Sequence, residues 1–333
     1  MQRIKLSIIF LIFIVNLSAC AKLHEEKMNA EDKIVVLDSV KKIIKEHYIV
    51  PEISPAVEKS LQAKDYENIE YPSDFAGTVT QDLYRLTKDK HLSVTYSATV
   101  ITNKKMQSIT DFLKNLPIAS SHMNFGFNDV RRLNCNIGYL SFDFFGPTDI
   151  SAKTFDASMG FIQHTDALII DLRKNIGGDP KTVAYFASYF FDKPRVHLNN
   201  ILWRKNNKLE EFWTSSNWPI WRYTNRNIYI LTSKQTFSAA EEFAYDMQAL
   251  NRAIIIGEKT AGGANPGHNF PINDHFSIYI PTGKAINPIT KKNWEGEGVH
   301  PDVFVLENDA LESAYRIAVK DKYNGSKKCD EKF

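Results

Sequence analysis

A chain of 333 residues that is 43% hydrophobic and 24% charged carries enough apolar material for an ordinary core, which excludes a disordered or low-complexity polypeptide. Its formal net charge of +2 comes without a dense basic stripe, so nucleic acid is not an expected partner. The length suits two domains, or one large domain with an appendage.

The first residues are a different material. Arg3 and Lys5 precede an uncharged apolar run from Leu6 to Val15, followed by Leu17-Ser-Ala-Cys20. A charged start, a short apolar core and small residues before a break describe a secretory signal, too short for a comfortable membrane span. Leu-Ser-Ala-Cys resembles the lipobox of bacterial lipoproteins, which implies lipidation of Cys20 and an anchor in the cell envelope, facing the periplasm or the cell exterior. Residues 1–20 are then the signal and 21–30 a polar tether. Cys135 and Cys329 remain, and two cysteines allow a disulfide without giving a pattern to argue from.

Ile34, Leu37, Val40 and Ile44 recur at three- and four-residue spacing and predict an amphipathic helix ending near Tyr48. Pro51 and Pro55 break it, and further helices are expected over 54–63 and 73–86. These make a small helical domain over 31–90, closed by Thr87-Lys-Asp-Lys-His91, after which Leu-Ser-Val-Thr-Tyr alternates like a strand. From Asn136 strands and helices alternate: strands over 137–145, 167–172, 227–232 and 252–257, helices over 179–191 and 238–250. Such alternation implies right-handed crossovers and a mostly parallel sheet, an α/β domain over 91–319 with a charged tail at 320–333.

Two turns in this domain follow strand carboxyl ends, where α/β sheets collect their sites. One is Asn175-Ile-Gly-Gly178; the other ends at Ser238, in the first turn of a helix. Free N–H groups and the macrodipole at a helix start favour negative charge, so an oxyanion formed beside Ser238 Oγ finds stabilising groups in place. Gly177 and Gly178 are candidate donors, with the amide of Ala239 the second contribution. Capping alone also explains a serine there, and a tight turn explains the glycine pair.

Asp171-Leu-Arg-Lys-Asn-Ile-Gly-Gly178, Thr232-Ser-Lys-Gln-Thr-Phe-Ser-Ala-Ala-Glu-Glu242, Gly257-Glu-Lys-Thr-Ala-Gly-Gly263 and Trp294-Glu-Gly-Glu-Gly-Val-His-Pro-Asp302 occur in that order. Together they resemble the tail-specific, or C-terminal-processing, serine peptidases, in the branch that includes the tricorn core protease and interphotoreceptor retinoid-binding protein. The resemblance implies a crotonase-like fold. Members with a Ser–Lys dyad carry lysine in a Thr-x-Gly-Lys motif, where this chain has Thr260-Ala-Gly-Gly263. The tricorn-like pattern instead implies Ser238 as nucleophile, His91 as general base and Glu295 as the carboxylate that orients it, with Lys90 standing where that branch has a second serine. Glu241 and Glu242 read as complements to the helix N-terminus.

The resulting expectation is an envelope-anchored serine endopeptidase acting on peptides or unfolded segments through an acyl-enzyme, without a PDZ module between His91 and Asn136. No Cys/His spacing or phosphate-cradling loop calls for a metal or an organic cofactor. A binding protein for apolar ligands on the same fold, or an esterase, are the alternatives; Trp203, Trp213, Trp218 and Trp221 could line a hydrophobic groove. The sequence carries no sign of oligomeric state.

Overall fold

The computed structural model describes residues 25–100, 121–192, 195–215 and 222–323. Cys20, Trp218, Trp221 and Cys329, with the expected signal, most of the tether and the end of the tail, lie outside the described residues. In chain order the elements are helices α1 (Ala30–His47), α2 (Ser54–Ala63) and α3 (Pro72–Thr87), strands β1 (Ser93–Tyr96), β2 (Phe127–Leu133) and β3 (Ile137–Phe142), α4 (Thr148–Ile162), β4 (Ala167–Asp171), α5 (Pro180–Ala187), β5 (His197–Trp203), β6 (Lys208–Trp213), β7 (Asn227–Thr232), α6 (Ala239–Ala249), β8 (Ile254–Gly257), β9 (Gly267–Pro271), β10 (Phe276–Pro281), β11 (Gly283–Ile286), β12 (Val303–Phe304) and α7 (Ala310–Tyr323). They belong to two compact units. The described residues of the first are 25–100 and 267–282; the rest form the second.

In the first unit, local chemistry sets the helix ends. Asn29 accepts the Asp32 N–H at the start of α1, and prolines occupy the first turns of α2 and α3, where a missing N–H costs nothing. Lys88 closes α3 in the left-handed region, its N–H on Tyr84 O. The buried stripe of α1 is Lys33, Val36, Val40 and Ile44, while Ile34, expected inside, is 59% exposed. Lys33 tolerates burial because its ammonium donates to Glu67 O at 2.9 Å. The expected boundary at residue 90 is not where the chain divides. β1 pairs antiparallel with β10, and β10 with β9, so residues 267–281 complete a three-stranded sheet whose Phe276, Ile278 and Ile280 join the helical core.

The second unit is built on a six-stranded sheet in the order β12-β8-β7-β4-β3-β2. Every pairing in it is parallel except β2 with β3, which is the mostly parallel sheet expected. β4 is buried at all five positions, as a strand covered on both faces must be. Its Leu168 and Ile170 enter a core with α4, α5 and α6, and its Ala167 and Ile169 enter another with α7. α7 runs to Tyr323, so the tail assigned from residue 320 begins later: Tyr229 donates to Asp321 at 2.7 Å and Lys322 meets Asp166 at 3.1 Å. A separate antiparallel sheet, β11-β5-β6, was not expected from the sequence. It separates Trp203 from Trp213, which lie at opposite ends of the β5–β6 ladder. Trp203 Nε1 donates to Glu210, and Trp213 stacks on His197 at 4.0 Å, so these two do not form one cluster. Cys135 is disulfide-bonded.

Candidate active site

Ser238 stands between β7 and α6 with φ 54° and ψ −122°. An ordinary N-cap residue sits in the extended region. A non-glycine residue held instead at positive φ is strained, and such strain persists only where the surroundings enforce it. The preceding turn supplies the enforcement: Ser233 N–H donates to Thr236 Oγ1, Thr236 Oγ1 to Leu172 O and Phe237 N–H to Asn175 O, at 2.8–3.0 Å. The serine turn is thereby tied to the Asn175-Ile-Gly-Gly178 turn at the neighbouring strand end, as adjacent parallel strands require.

Asn175 is fully buried and organises the glycine turn. Its Nδ2 donates to Phe142 O and its Oδ1 accepts the Gly177 N–H, both at 2.9 Å. Gly177 was expected to offer that N–H to an oxyanion, and the Asn175 acceptor already holds it. What Gly177 contributes is space: at φ 100°, a Cβ there would come 2.6 Å from Ser238 Cβ. Gly178, at φ 143°, passes so close to Phe145 that a Cβ would stand 2.0 Å from Phe145 O. Among the described residues no carbonyl or side chain accepts the N–H of Gly178 or of Ala239.

The Thr260–Gly263 segment packs on the same helix start. Glu241 accepts from Ser238 N–H, Gly262 N–H, Gly263 N–H and Thr260 Oγ1. Burial raises the Glu241 carboxyl above its ordinary pKa, and these donors pull against that rise. Trp294 Nε1 donates to Gly263 O and Gly296 N–H to Gly262 O, both at 2.9 Å, which places the Trp294–Val299 loop against the same segment. Glu295 is anchored there through Oε2, which accepts the Ala264 and Asn265 N–H groups at 2.7 and 2.9 Å. Glu297, two residues later in the same motif, is exposed.

His91 belongs to the first unit. Its N–H donates to Asp89 Oδ1 at 2.9 Å, Asp89 Oδ2 accepts from Tyr48 OH at 3.0 Å, and the Tyr279 ring lies 6.1 Å from the imidazole. Burial pushes the imidazole pKa down to about 4, so the ring is neutral at pH 7 and able to accept a proton. Lys90, at the position of the family's second serine, is exposed. Sequence reasoning gave Asp89 no role and read Glu241 only as a complement to the helix N-terminus, which its bond from the Ser238 N–H bears out without revealing the other three donors. Asp89 could have been found from its place two residues before His91, whereas most of the donors to Glu241 are backbone amides, which leave no signature in a sequence.

The family described as Peptidase family S41 matches residues 136–305, and that described as the N-terminal domain of Peptidase_S41 in eukaryotic IRBP matches residues 31–124. A Staphylococcus epidermidis protein described as "Probable CtpA-like serine protease" is 25% identical over 173 residues, 51% of this chain and 34% of the relative. The chain thus spans about a third of the length of that curated relative. A solved structure described as a "putative peptidase" from Parabacteroides merdae is similar with a TM-score of 0.62 at 17% identity, over 86% of this chain and 96% of that one. The photosystem II D1 C-terminal processing protease is similar with a TM-score of 0.52 at 16% identity, over 88% and 98%. At these identities the two structures bear on the fold.

Proposed function

The chain belongs to peptidase family S41 and is a serine-type peptidase, and on that premise we propose that Ser238 is its nucleophile, His91 the general base and Glu295 the carboxylate that orients the imidazole. The observation that carries this reading is the backbone of Ser238, held at φ 54° and ψ −122° where a plain helix cap would be extended. Such a sharp strand-to-helix turn is where a nucleophilic hydroxyl is presented at a sheet edge. Attack on a peptide carbonyl transfers the hydroxyl proton to the neutral imidazole and forms a C–O bond. The negative charge on the carbonyl oxygen is met by the N–H groups of Gly178 and Ala239. Collapse expels the amine, which takes the proton back from the imidazolium, and water then releases the acyl group by the same steps in reverse roles. The absence of lysine from Thr260-Ala-Gly-Gly263 favours histidine over a Ser–Lys dyad. Extended or unfolded peptide segments are the substrates this reading expects.

A fluorophosphonate probe tests the assignment directly. Wild type should label at one site per chain, Ser238→Ala should not label, and His91→Ala should label on the order of 10³-fold more slowly, the usual scale for loss of a general base. Labelling that persists in Ser238→Ala, or none in wild type, rejects it. For location, the same proposal includes acylation of Cys20, removal of residues 1–19 to leave Cys20 as the mature N-terminus, and an extracytoplasmic site of action, supported by the Leu17-Ser-Ala-Cys20 pattern behind an apolar run. Radiolabelled palmitate should enter the wild-type chain in bacterial cells and not Cys20→Ala; equal incorporation rejects the anchor.

A further inference from the structure

We infer that Glu241 is a positioning residue for the nucleophile: its carboxylate is the fixed point that holds the Ser238 backbone in its positive-φ conformation and locks the Thr260–Gly263 segment against it. The inference deepens the proposed function and rests on Ser238 being the nucleophile.

The geometry separates this from ordinary capping. A capping glutamate returns one hydrogen bond to the N-cap N–H and otherwise faces water. Glu241 does return that bond, Oε2 accepting the Ser238 N–H at 2.9 Å. It is also completely buried and uses every remaining lone pair on another segment. Oε2 takes the Gly263 N–H at 2.8 Å, and Oε1 takes the Gly262 N–H at 2.6 Å and the Thr260 hydroxyl at 2.5 Å. Four donors converge on two oxygens, so the site is complementary to a carboxylate and to nothing neutral. Glutamine offers one acceptor oxygen, and its NH2 would turn two donors toward N–H groups. Burial by itself opposes charge here, and four donors are what offset it.

The placement has a chemical consequence. Because its N–H is taken by Glu241, Ser238 leaves the oxyanion to the amides that follow and face it, Ala239 and Gly178. The carboxylate thus fixes both where the hydroxyl points and which amides remain for the substrate. The segment that carries lysine in dyad members of the family serves here as a strap, its two glycine amides committed to Glu241 instead of presenting a side chain.

Fluorophosphonate kinetics and melting read the two roles apart. Glu241→Gln should still reach one label per chain, with the maximal labelling rate reduced on the order of 10²-fold, the cost of misplacing a reacting group by about 1 Å, and half-saturation by probe changed less than threefold. A merely structural role predicts a slowdown that tracks the unfolded fraction and disappears at a temperature where the variant is fully folded. Labelling of folded Glu241→Gln within threefold of wild type overturns the inference, as does a loss confined to half-saturation. If Glu241→Gln does not melt cooperatively, Glu241→Asp replaces it: the carboxylate is kept but is one methylene too short to reach both segments, and the same slowdown is expected while wild-type labelling speed overturns the inference. Wild type that labels while Glu241→Gln labels equally fast rejects the role of Glu241 alone. Wild type that does not label rejects the nucleophile itself, so the two failures are distinct.

Discussion

Burial keeps the His91 imidazole neutral. Moving an imidazolium out of water is costly, and that cost lowers the pKa from 6.5 to about 4. A group with a depressed folded pKa binds its proton more weakly in the fold than in the unfolded chain. His91 therefore favours folding fully above pH 6.5, and this contribution is lost as the pH falls from 6.5 toward 4, at ~1.4 kcal/mol per pH unit. With His91 as the proposed general base, labelling of the nucleophile follows the same ionisation. Labelling of Ser238 by fluorophosphonate should stay level from pH 8 down to about 5 and halve near pH 4; a half-point at 6 or above would show an imidazole in ordinary solvent and would remove burial as the cause. At this scale the sequence singled out Ser238 and Glu295 through motifs and His91 through its position, and the roles proposed for them are what the labelling experiments test. Gly177 was misread as a donor because the acceptor that occupies its amide, Asn175 Oδ1, becomes a neighbour only once the turn closes.

The helix α6 carries a cost along its flank. Glu242 and Asp246, one turn apart, are both fully buried, and Glu242 was expected to complement the helix start rather than to face inward. Asn287 Nδ2 donates to Asp246 Oδ1 at 2.9 Å. Burial pushes Glu242 up to about 8, eased by Asn199 and reinforced by Asp179, and raises Asp246 well above the usual carboxylate range, with Glu242 reinforcing it. An acid whose folded pKa is raised holds its proton more tightly in the fold. Its stabilising effect is complete below the unfolded value near 4.5 and is lost as the pH rises toward 8. Above pH 6.5, where the His91 contribution is constant, melting temperature should therefore decline toward pH 8, and Glu242→Gln, neutral at every pH and of the same shape, should decline less steeply. Parallel profiles for the two proteins would show that Glu242 is not the titrating group. The helix itself was legible from its apolar spacing and its acidic first turn. Which acid faces the core was not, because the spacing of Glu241, Glu242 and Asp246 is compatible with an exposed flank until β5 and the Asn287 turn cover it.

For the molecule as a whole, the legible part was whatever is local in sequence. The α/β succession from Asn136 reads off alternating apolar runs, and the first three helices read off their periodicity and prolines. What could not be read was a return of the chain: β9 and β10 arrive about 180 residues after β1, and alternation in Phe276-Ser-Ile-Tyr-Ile280 announces a strand without naming its partner. The helical domain drawn at 31–90 was therefore incomplete, and its incompleteness has a magnitude. Phe276, Ile278 and Ile280 are at most 4% exposed in the first unit's core. Burial of a large apolar side chain contributes about 1.5–3 kcal/mol, so losing all three removes roughly 5–9 kcal/mol. That is comparable with the roughly 5–15 kcal/mol that keeps a whole domain folded. A polypeptide of residues 25–100 alone should consequently show no cooperative melt by circular dichroism and should bind a hydrophobic dye. The same segment joined by a flexible linker to residues 267–282 should melt cooperatively, because β1 regains β10 and the core regains its missing wall. Cooperative melting of residues 25–100 at the same temperature with and without the added hairpin would mean that the three helices suffice, and that the returning strands decorate this unit instead of completing it.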